Sequence, residues 1–238
     1  AGCGSDSKQA ANDQKVLRVG TEPTFAPFEF QKQGSSDFEG FDMDLARAIG
    51  KQLGRKVEIQ NMGFDALIPS LDSGNIDVAI AGMSITDARK EKVNFTDPYY
   101  ESGLSILVPK DNNTVKSFDD LKGKTIAVQL GTTGAEQAGK IEGATVKTFD
   151  TSDTACLEMK NGGADAVISD LPVLQYFLKQ GGSEYAKSVG TPKKGDFYGI
   201  AVGKKDTATL DKLNKALAEM KKDGEYQKIY DKWFTVAK

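Results

Sequence analysis

The chain opens with a period-two apolar pattern and then changes to a period near 3.6. The succession Val16, Leu17, Arg18, Val19, Gly20 predicts a short strand over 16–20. Phe41, Leu45, Ala48, Ile49 and Leu53 then fall on one helical face, which predicts a helix over 42–53. Gly54 is placed to end it. Residues 57–60 predict a second strand. Asp65 is the expected cap of a helix that carries Ala66, Leu67, Ile68 and Leu71 and stops at Gly74. The run Asp77, Val78, Ala79, Ile80, Ala81 is almost wholly apolar and predicts a third strand over 77–81, buried inside a parallel sheet. Strands alternating with helices in this way form βαβ units.

The same order begins again at Lys124. A strand is predicted over 125–129, Gly131-Thr132-Thr133-Gly134 opens a helix, and a strand follows over 146–149. Asp153 is the expected cap of a helix that ends near Gly162 and Gly163, and 165–168 predicts another strand. Two Gly-x-x-Asp turns, Gly74 to Asp77 and Gly162 to Asp165, hold equivalent places in their halves. The chain therefore reads as two lobes built on one plan. A strand over 103–109 leads from the first lobe into the second, and 197–203 is its natural return partner. After it, Leu210, Leu213, Leu217 and Met220 line one helical face. Tyr226, Ile229, Tyr230 and Trp233 line another beyond Gly224. These helices are expected to pack on the first lobe. The expected organisation is α/β: a tether over 1–14, a discontinuous lobe of 15–105 plus 199–238, and a second lobe of 106–198. Two strand crossings form a hinge, and the cleft between lobes is a standard place for a small ligand.

Composition narrows the function. The 238 residues are 39% hydrophobic and 27% charged, an ordinary globular profile. A net charge of -3 argues against a nucleic-acid partner, which needs a basic face. The pairs Lys193-Lys194 and Lys221-Lys222 read as solvated surface. No stretch approaches the roughly 18 apolar residues of a membrane helix. The sequence holds no histidine, which excludes imidazole bases, Ser-His-Asp triads and histidine metal sites. Neither of the two cysteines has metal-ligand spacing, so no metal and no cofactor is expected. Cys156 lies in a predicted helix as a small apolar residue. Ala1-Gly2-Cys3-Gly4 resembles the end of a bacterial lipoprotein signal, whose cysteine carries the lipid.

The candidate chemistry gathers where open α/β sheets bind ligands, at carboxyl ends of strands and at helix starts. Residues 20–30 read Gly-Thr-Glu-Pro-Thr-Phe-Ala-Pro-Phe-Glu-Phe; Gly-Phe-Asp-Met-Asp-Leu and Phe-Asp-Ala-Leu-Ile-Pro-Ser-Leu follow. Ile-Thr-Asp-Ala-Arg-Lys, Phe-Thr-Asp-Pro-Tyr-Tyr and Asp-Ala-Val-Ile-Ser-Asp come after them in order. Over nearly all of 15–236, these six strings make the chain similar to the polar amino-acid branch of the bacterial ABC-transporter solute-binding proteins. It most resembles the glutamine-binding and lysine/arginine/ornithine-binding members. The resemblance implies a type II periplasmic-binding-protein-like fold and a free amino acid as ligand. It also implies a membrane permease as partner, a monomer, and a periplasmic or extracellular location with possible anchoring through Cys3.

It implies roles as well. Arg89 would grip the ligand α-carboxylate with its planar fork, helped by Gly82 and Ser84. Thr133 would add an N–H from a helix start, and Asp170 would accept the α-ammonium. Phe25 and Phe64 would sandwich the side chain, a contact worth ~0.5 to 2 kcal/mol for a cation over a ring. Glu22 holds the position where basic-ligand binders place a carboxylate, and Gln129 the position where glutamine-specific members carry a lysine. Arginine is therefore the first expected ligand and glutamine the second. Other uses of the same residues stay open: Arg89 as a surface partner of Asp87 or Glu91, and Asp170 as an N-cap ahead of Leu171-Pro172. Glu22 could equally be an exposed loop carboxylate, and the two phenylalanines ordinary core. No catalytic residue is assigned. An enzyme of the cyclohexadienyl dehydratase type is the alternative from another class, since fold alone does not fix function. A receptor ligand-binding domain is a third reading, against which stands the lack of any membrane segment interrupting the chain.

Overall fold

The computed structural model describes residues 16–234. The tether expected over 1–14 and Cys3 lie outside the described residues, as do 235–238. The first strand, β1 (Val16–Thr21), runs parallel to β5 (Lys56–Asn61) on one side and to β6 (Val78–Ala79) on the other. Between them lie a small antiparallel ribbon, β2 (Thr24–Phe25), β3 (Glu29–Gln31) and β4 (Phe38–Glu39), and helix α1 (Phe41–Leu53). Gly54 ends α1 as expected. A 3₁₀ turn over Phe64–Ala66 leads into α2 (Leu67–Asp72), and α3 (Asp87–Lys90) precedes β7 (Val93–Phe95). The first sheet has the order β5-β1-β6-β13-β7, where β13 (Ala201–Gly203) returns antiparallel to β6 and β7.

The second sheet repeats that plan. Its order is β10-β9-β11-β8-β12, with β9 (Thr125–Gln129) parallel to β10 (Thr145–Phe149) and β11 (Ala166–Asp170). Here β8 (Tyr100–Pro109) is the antiparallel strand beside the third member, and β12 (Ala186–Tyr198) closes the edge. The helices of this half are α4 (Thr133–Gly139), α5 (Ser152–Lys160) and α6 (Leu171–Lys179). The likeness extends to single hydrogen bonds. Asp77 accepts from the Arg18 amide at 2.8 Å and donates its own N–H to Arg18 at 2.9 Å. Asp165 does the same with Thr125, at 2.8 Å in each direction. The two Gly-x-x-Asp turns thus tie the first and third strands of each half by one device, each turn closed by a glycine at positive φ, Gly74 and Gly162.

Each sheet is covered on both faces. Leu17, Val19, Phe41, Leu45 and Ile49 pack under Leu213, Leu217 and Met220 of α7 (Thr207–Asp223) and Ile229 of α8 (Glu225–Phe234). The C-terminal helices therefore pack on the first lobe, as the sequence led us to expect. Leu67, Leu71, Ala79 and Met83 fill its other face. In the second lobe Ile126, Val128 and Ile168 lie on one side of the sheet, and Ala155, Cys156 and Met159 on the other. Cys156 is buried, which pushes its thiol up to about 12, and it behaves as a small apolar residue. The exposed side chains of Lys193, Lys194, Lys221 and Lys222 lie on solvated surface. No helix among the described residues is long and apolar enough to cross a membrane.

Four expectations need correction. Asp65 does not cap a helix: Gly63 opens the turn and Asp65 sits inside it. The cap of α5 is Thr151, whose hydroxyl accepts from the Thr154 N–H at 3.1 Å, while Asp153 is already helical. The third strand is two residues long, although the Ile80 N–H still bonds the Gly20 carbonyl at 3.1 Å. The strand expected to lead from one lobe to the other, 103–109, lies wholly in the second sheet. Tyr100 faces Tyr198 at one end of β8 and Pro109 faces Ala186 at the other. The strand over 186–196 has no alternating pattern and was not expected. It pairs along β8 with bulges after Val189 and Lys194.

Candidate functional site

Two connections pass between the sheets, from β7 to β8 and from β12 to β13, and the cleft lies beside them. About 280 Å³ of space lies among its lining atoms, part of it open to solvent. All nine candidate residues line it, together with Glu29, Ala81 and Thr132. The first lobe supplies Glu22, Phe25, Phe64, Gly82, Ser84 and Arg89, and the second Gln129, Thr133 and Asp170.

Arg89 belongs to the first turn of α3, which Thr86 caps through a 3.1 Å bond from the Arg89 amide. Its guanidinium turns inward. One terminal nitrogen donates to the Ser84 carbonyl at 2.7 Å and the other to the Gly131 carbonyl at 2.9 Å, on the opposite lobe. Its carbon lies 5.4 Å above the Phe64 ring. A guanidinium has five N–H donors, so others remain for a ligand anion. Burial pulls its pKa down, and the charges of Asp170, Asp196 and Glu136 oppose that. Arg89 is thus not a surface partner of Asp87 or Glu91.

Asp170 ends β11 and precedes α6, where it occupies the N-cap position but makes no capping bond with its side chain. Instead its carboxylate accepts from the Tyr198 hydroxyl, which also lies 3.1 Å from the Ser102 hydroxyl. Burial pushes Asp170 up to about 7; the Tyr198 bond and Arg89 pull it down, and Asp196 pushes it further up. Thr133 opens α4, and its hydroxyl donates to Asp196 at 3.2 Å.

Glu22 is 5% exposed, so it is not an open loop carboxylate. It accepts from the Thr24 hydroxyl and, across the cleft, from the Gln129 amide at 3.0 Å. Burial raises its pKa, and these two bonds partly oppose the rise. Gln129 is itself fixed, donating to the Asp150 carbonyl at 3.1 Å and accepting from Ser152 at 3.2 Å. Gly82 has a φ of +55°, where a side chain is strained, and a Cβ there would lie 3.0 Å from the Phe25 ring. Its N–H donates to Asp42 at 2.7 Å.

Three residues of this region were not singled out from the sequence: Glu29, Asp42 and Tyr198. A signal existed for two. Asp42 is three and seven residues before Leu45 and Ile49, an acidic side chain on the apolar stripe of α1. Glu29 sits between two phenylalanines in a short strand, so its side chain faces opposite to theirs. Tyr198 had none.

The model of the bacterial extracellular solute-binding proteins, family 3, matches residues 17–236. The chain belongs to that family. Its relatives include the ABC transporter arginine-binding protein 1 of Escherichia coli, 40% identical over 94% of this chain and 93% of the other. The probable histidine-binding protein of Neisseria gonorrhoeae is 38% identical over 98% and 89%. An ancestral arginine-binding protein bound to arginine is similar at TM-score 0.90 and 51% identity, covering 92% of this chain and 98% of that one. An ancestral arginine-binding protein bound to glutamine gives 0.87 and 50%, covering 93% and 99%. The chain is thus a solute-binding protein with the two-lobed periplasmic-binding-protein fold.

Proposed function

We propose that the cleft takes a free L-amino acid, arginine first and glutamine second, and that the protein delivers it outside the cytoplasm to the permease of an ABC transporter. The carrying observation is how the cleft charges are grouped. Arg89 and Asp170 act on one another electrostatically, while Glu22 is paired with Gln129. An amino acid carries its carboxylate and ammonium on one carbon, so the grip for the two must be contiguous, as Arg89 and Asp170 are. Glu22 is then left for the side chain. Arginine meets every one of these charges with its opposite, whereas glutamine leaves the Glu22 carboxylate facing a neutral amide. The relatives named for arginine, and the ancestral protein bound to glutamine, agree with that order. A histidine ligand, as named for the Neisseria relative, would also set a cation against Glu22.

In this reading the protein acts as a monomer, and lobes of about 16–99 plus 199–234 and 100–198 part for ligand entry by rotation at the crossings near 96–99 and 198–200. The test is calorimetric titration with arginine, glutamine and histidine, joined to small-angle scattering. Arginine should bind tightest and shrink the radius of gyration or leave it at its closed value. A radius that grows on binding, or no binding by any of the three, sinks the reading. Turnover of prephenate or arogenate would favour the dehydratase alternative instead.

The same grip predicts a pH dependence. Asp170, pushed up to about 7 in the ligand-free protein, must be ionised to hold an ammonium. Binding at neutral pH should therefore release about half a proton, and affinity should fall as pH drops below 7. At pH 6 it should be about tenfold below its alkaline plateau, since each pH unit below the pKa costs a factor of ten in ionised carboxylate. Titrations in buffers of different ionisation heat read the proton directly. A flat affinity from pH 6 to 8 with no proton released would remove Asp170 from the ammonium site.

A further inference from the structure

In the cleft wall, two carboxyl groups meet with no cation between them. Glu29 of β3 and Asp42 of α1 are both fully buried, and a 2.8 Å bond from the Asp42 N–H to the Phe28 carbonyl holds the two residues side by side, close enough for each carboxyl to raise or lower the other's pKa. One Asp42 oxygen accepts from the Gly82 N–H at 2.7 Å and from the Tyr99 hydroxyl at 3.0 Å. The other Asp42 oxygen and both Glu29 oxygens meet no donor from any other residue. A buried acceptor left unpaired is costly, and two adjacent buried carboxylates are worse. One proton between them lifts the charge repulsion and pairs one Glu29 oxygen with the free Asp42 oxygen, because a protonated carboxyl is itself a donor.

We infer that Glu29 and Asp42 share a single proton across a carboxyl–carboxylate hydrogen bond, and that this pair is the positioning element for the Gly82 turn of the ligand cleft. Glu29 carries the proton and donates it to the free Asp42 oxygen. Asp42 stays anionic, holding three donors: Glu29, Tyr99 and Gly82. The charges bear this out. Burial, then Asp42, Glu22 and Asp170, all hold Glu29 well above the carboxylate range. Asp42 is raised only to about 6, because bonds from Glu29, Gly82 and Tyr99 oppose its burial. The other titratable groups facing the pair are Tyr99 and, more remotely, Tyr226. Gly82 needs such an anchor. It stands at positive φ against the Phe25 ring, and its turn leads directly to Ser84, whose carbonyl holds Arg89. A shift of Asp42 would thus reach the carboxylate grip through the backbone.

The binding arm of the test rests on the amino-acid reading above; the spectroscopic arm does not. Infrared difference spectra are recorded near pH 8, where Asp170 is ionised. The parent should show a protonated-carboxyl band that Glu29→Gln removes. Glutamine at 29 keeps a donor toward Asp42 without a titrating proton. That variant should bind arginine at least about tenfold more tightly at neutral pH than Glu29→Ala, which loses the donor. On raising the pH further, the parent should weaken relative to Glu29→Gln as the shared proton leaves. The ligand's own ammonium titrates equally in both titrations and cancels in the ratio. A parent spectrum without the band, or a band that survives Glu29→Gln, overturns the shared proton. Parent-like binding by Glu29→Ala, or a ratio flat in pH, overturns the positioning role. If no amino acid binds the parent, the functional reading fails while the spectrum still decides the proton.

Discussion

Arg89→Ala should weaken every amino-acid ligand alike, by about 2 to 5 kcal/mol, the cost of removing one partner of a buried charge pair. The side chain is placed for a demanding task. It is held from its own lobe by the Ser84 carbonyl and from the other lobe by the Gly131 carbonyl, with its plane near the Phe64 ring. Two donors spent in this way fix the guanidinium, so a ligand carboxylate meets an already oriented fork. Alanine leaves that carboxylate buried without a counter-charge, whichever side chain the ligand carries. Calorimetry with arginine and glutamine should therefore show nearly equal losses. Thermal unfolding of the ligand-free variant separates this from a folding defect. If Arg89→Ala binds within a few-fold of the parent, the carboxylate site lies elsewhere in the cleft.

Most of the architecture was legible because a doubly covered sheet writes itself in apolar runs. Residues 125–129 and the helical stripe Phe41, Leu45, Ile49 carry patterns that only burial on a sheet explains. The internal repeat was visible for the same reason, down to Asp77 and Asp165. Helix starts were less legible. Asp65 and Asp153 are good capping residues by type, but Gly63 and Thr151 precede them, and position within the turn decides which oxygen meets a free N–H. β12 carried no period because it is an edge strand, half exposed and bulged. In the cleft, the sequence pointed to residues that line the space and missed several that hold one another behind them. Glu29 and Asp42 stand out locally as acids among apolar neighbours, but the partners of Glu29, Asp42 and Tyr198 lie 13 to 96 residues away, and no local pattern encodes those pairings.

Glu22→Gln should cost arginine more affinity than glutamine, by ~1 to 3 kcal/mol, the usual worth of a charged hydrogen-bond partner. Glu22 is nearly sealed from water and accepts from Thr24 and Gln129, so its orientation is set before any ligand arrives. A guanidinium adds a charge-assisted contact to that carboxylate, in a cleft where such contacts exceed their worth on an open surface. A ligand amide adds only a charge-to-neutral bond. Glutamine at 22 retains the size and one oxygen that can still accept, and removes only the charge. Burial raises the Glu22 pKa in the ligand-free protein, so part of the arginine advantage is spent on ionising it, and the gap between ligands should widen as pH rises through that pKa and level off above it. Titrating both amino acids into both proteins measures the difference as a double-mutant comparison. Equal losses for the two ligands would make Glu22 part of the common scaffold. An arginine that fails to bind the parent at all would remove the cationic reading, leaving glutamine as the first candidate.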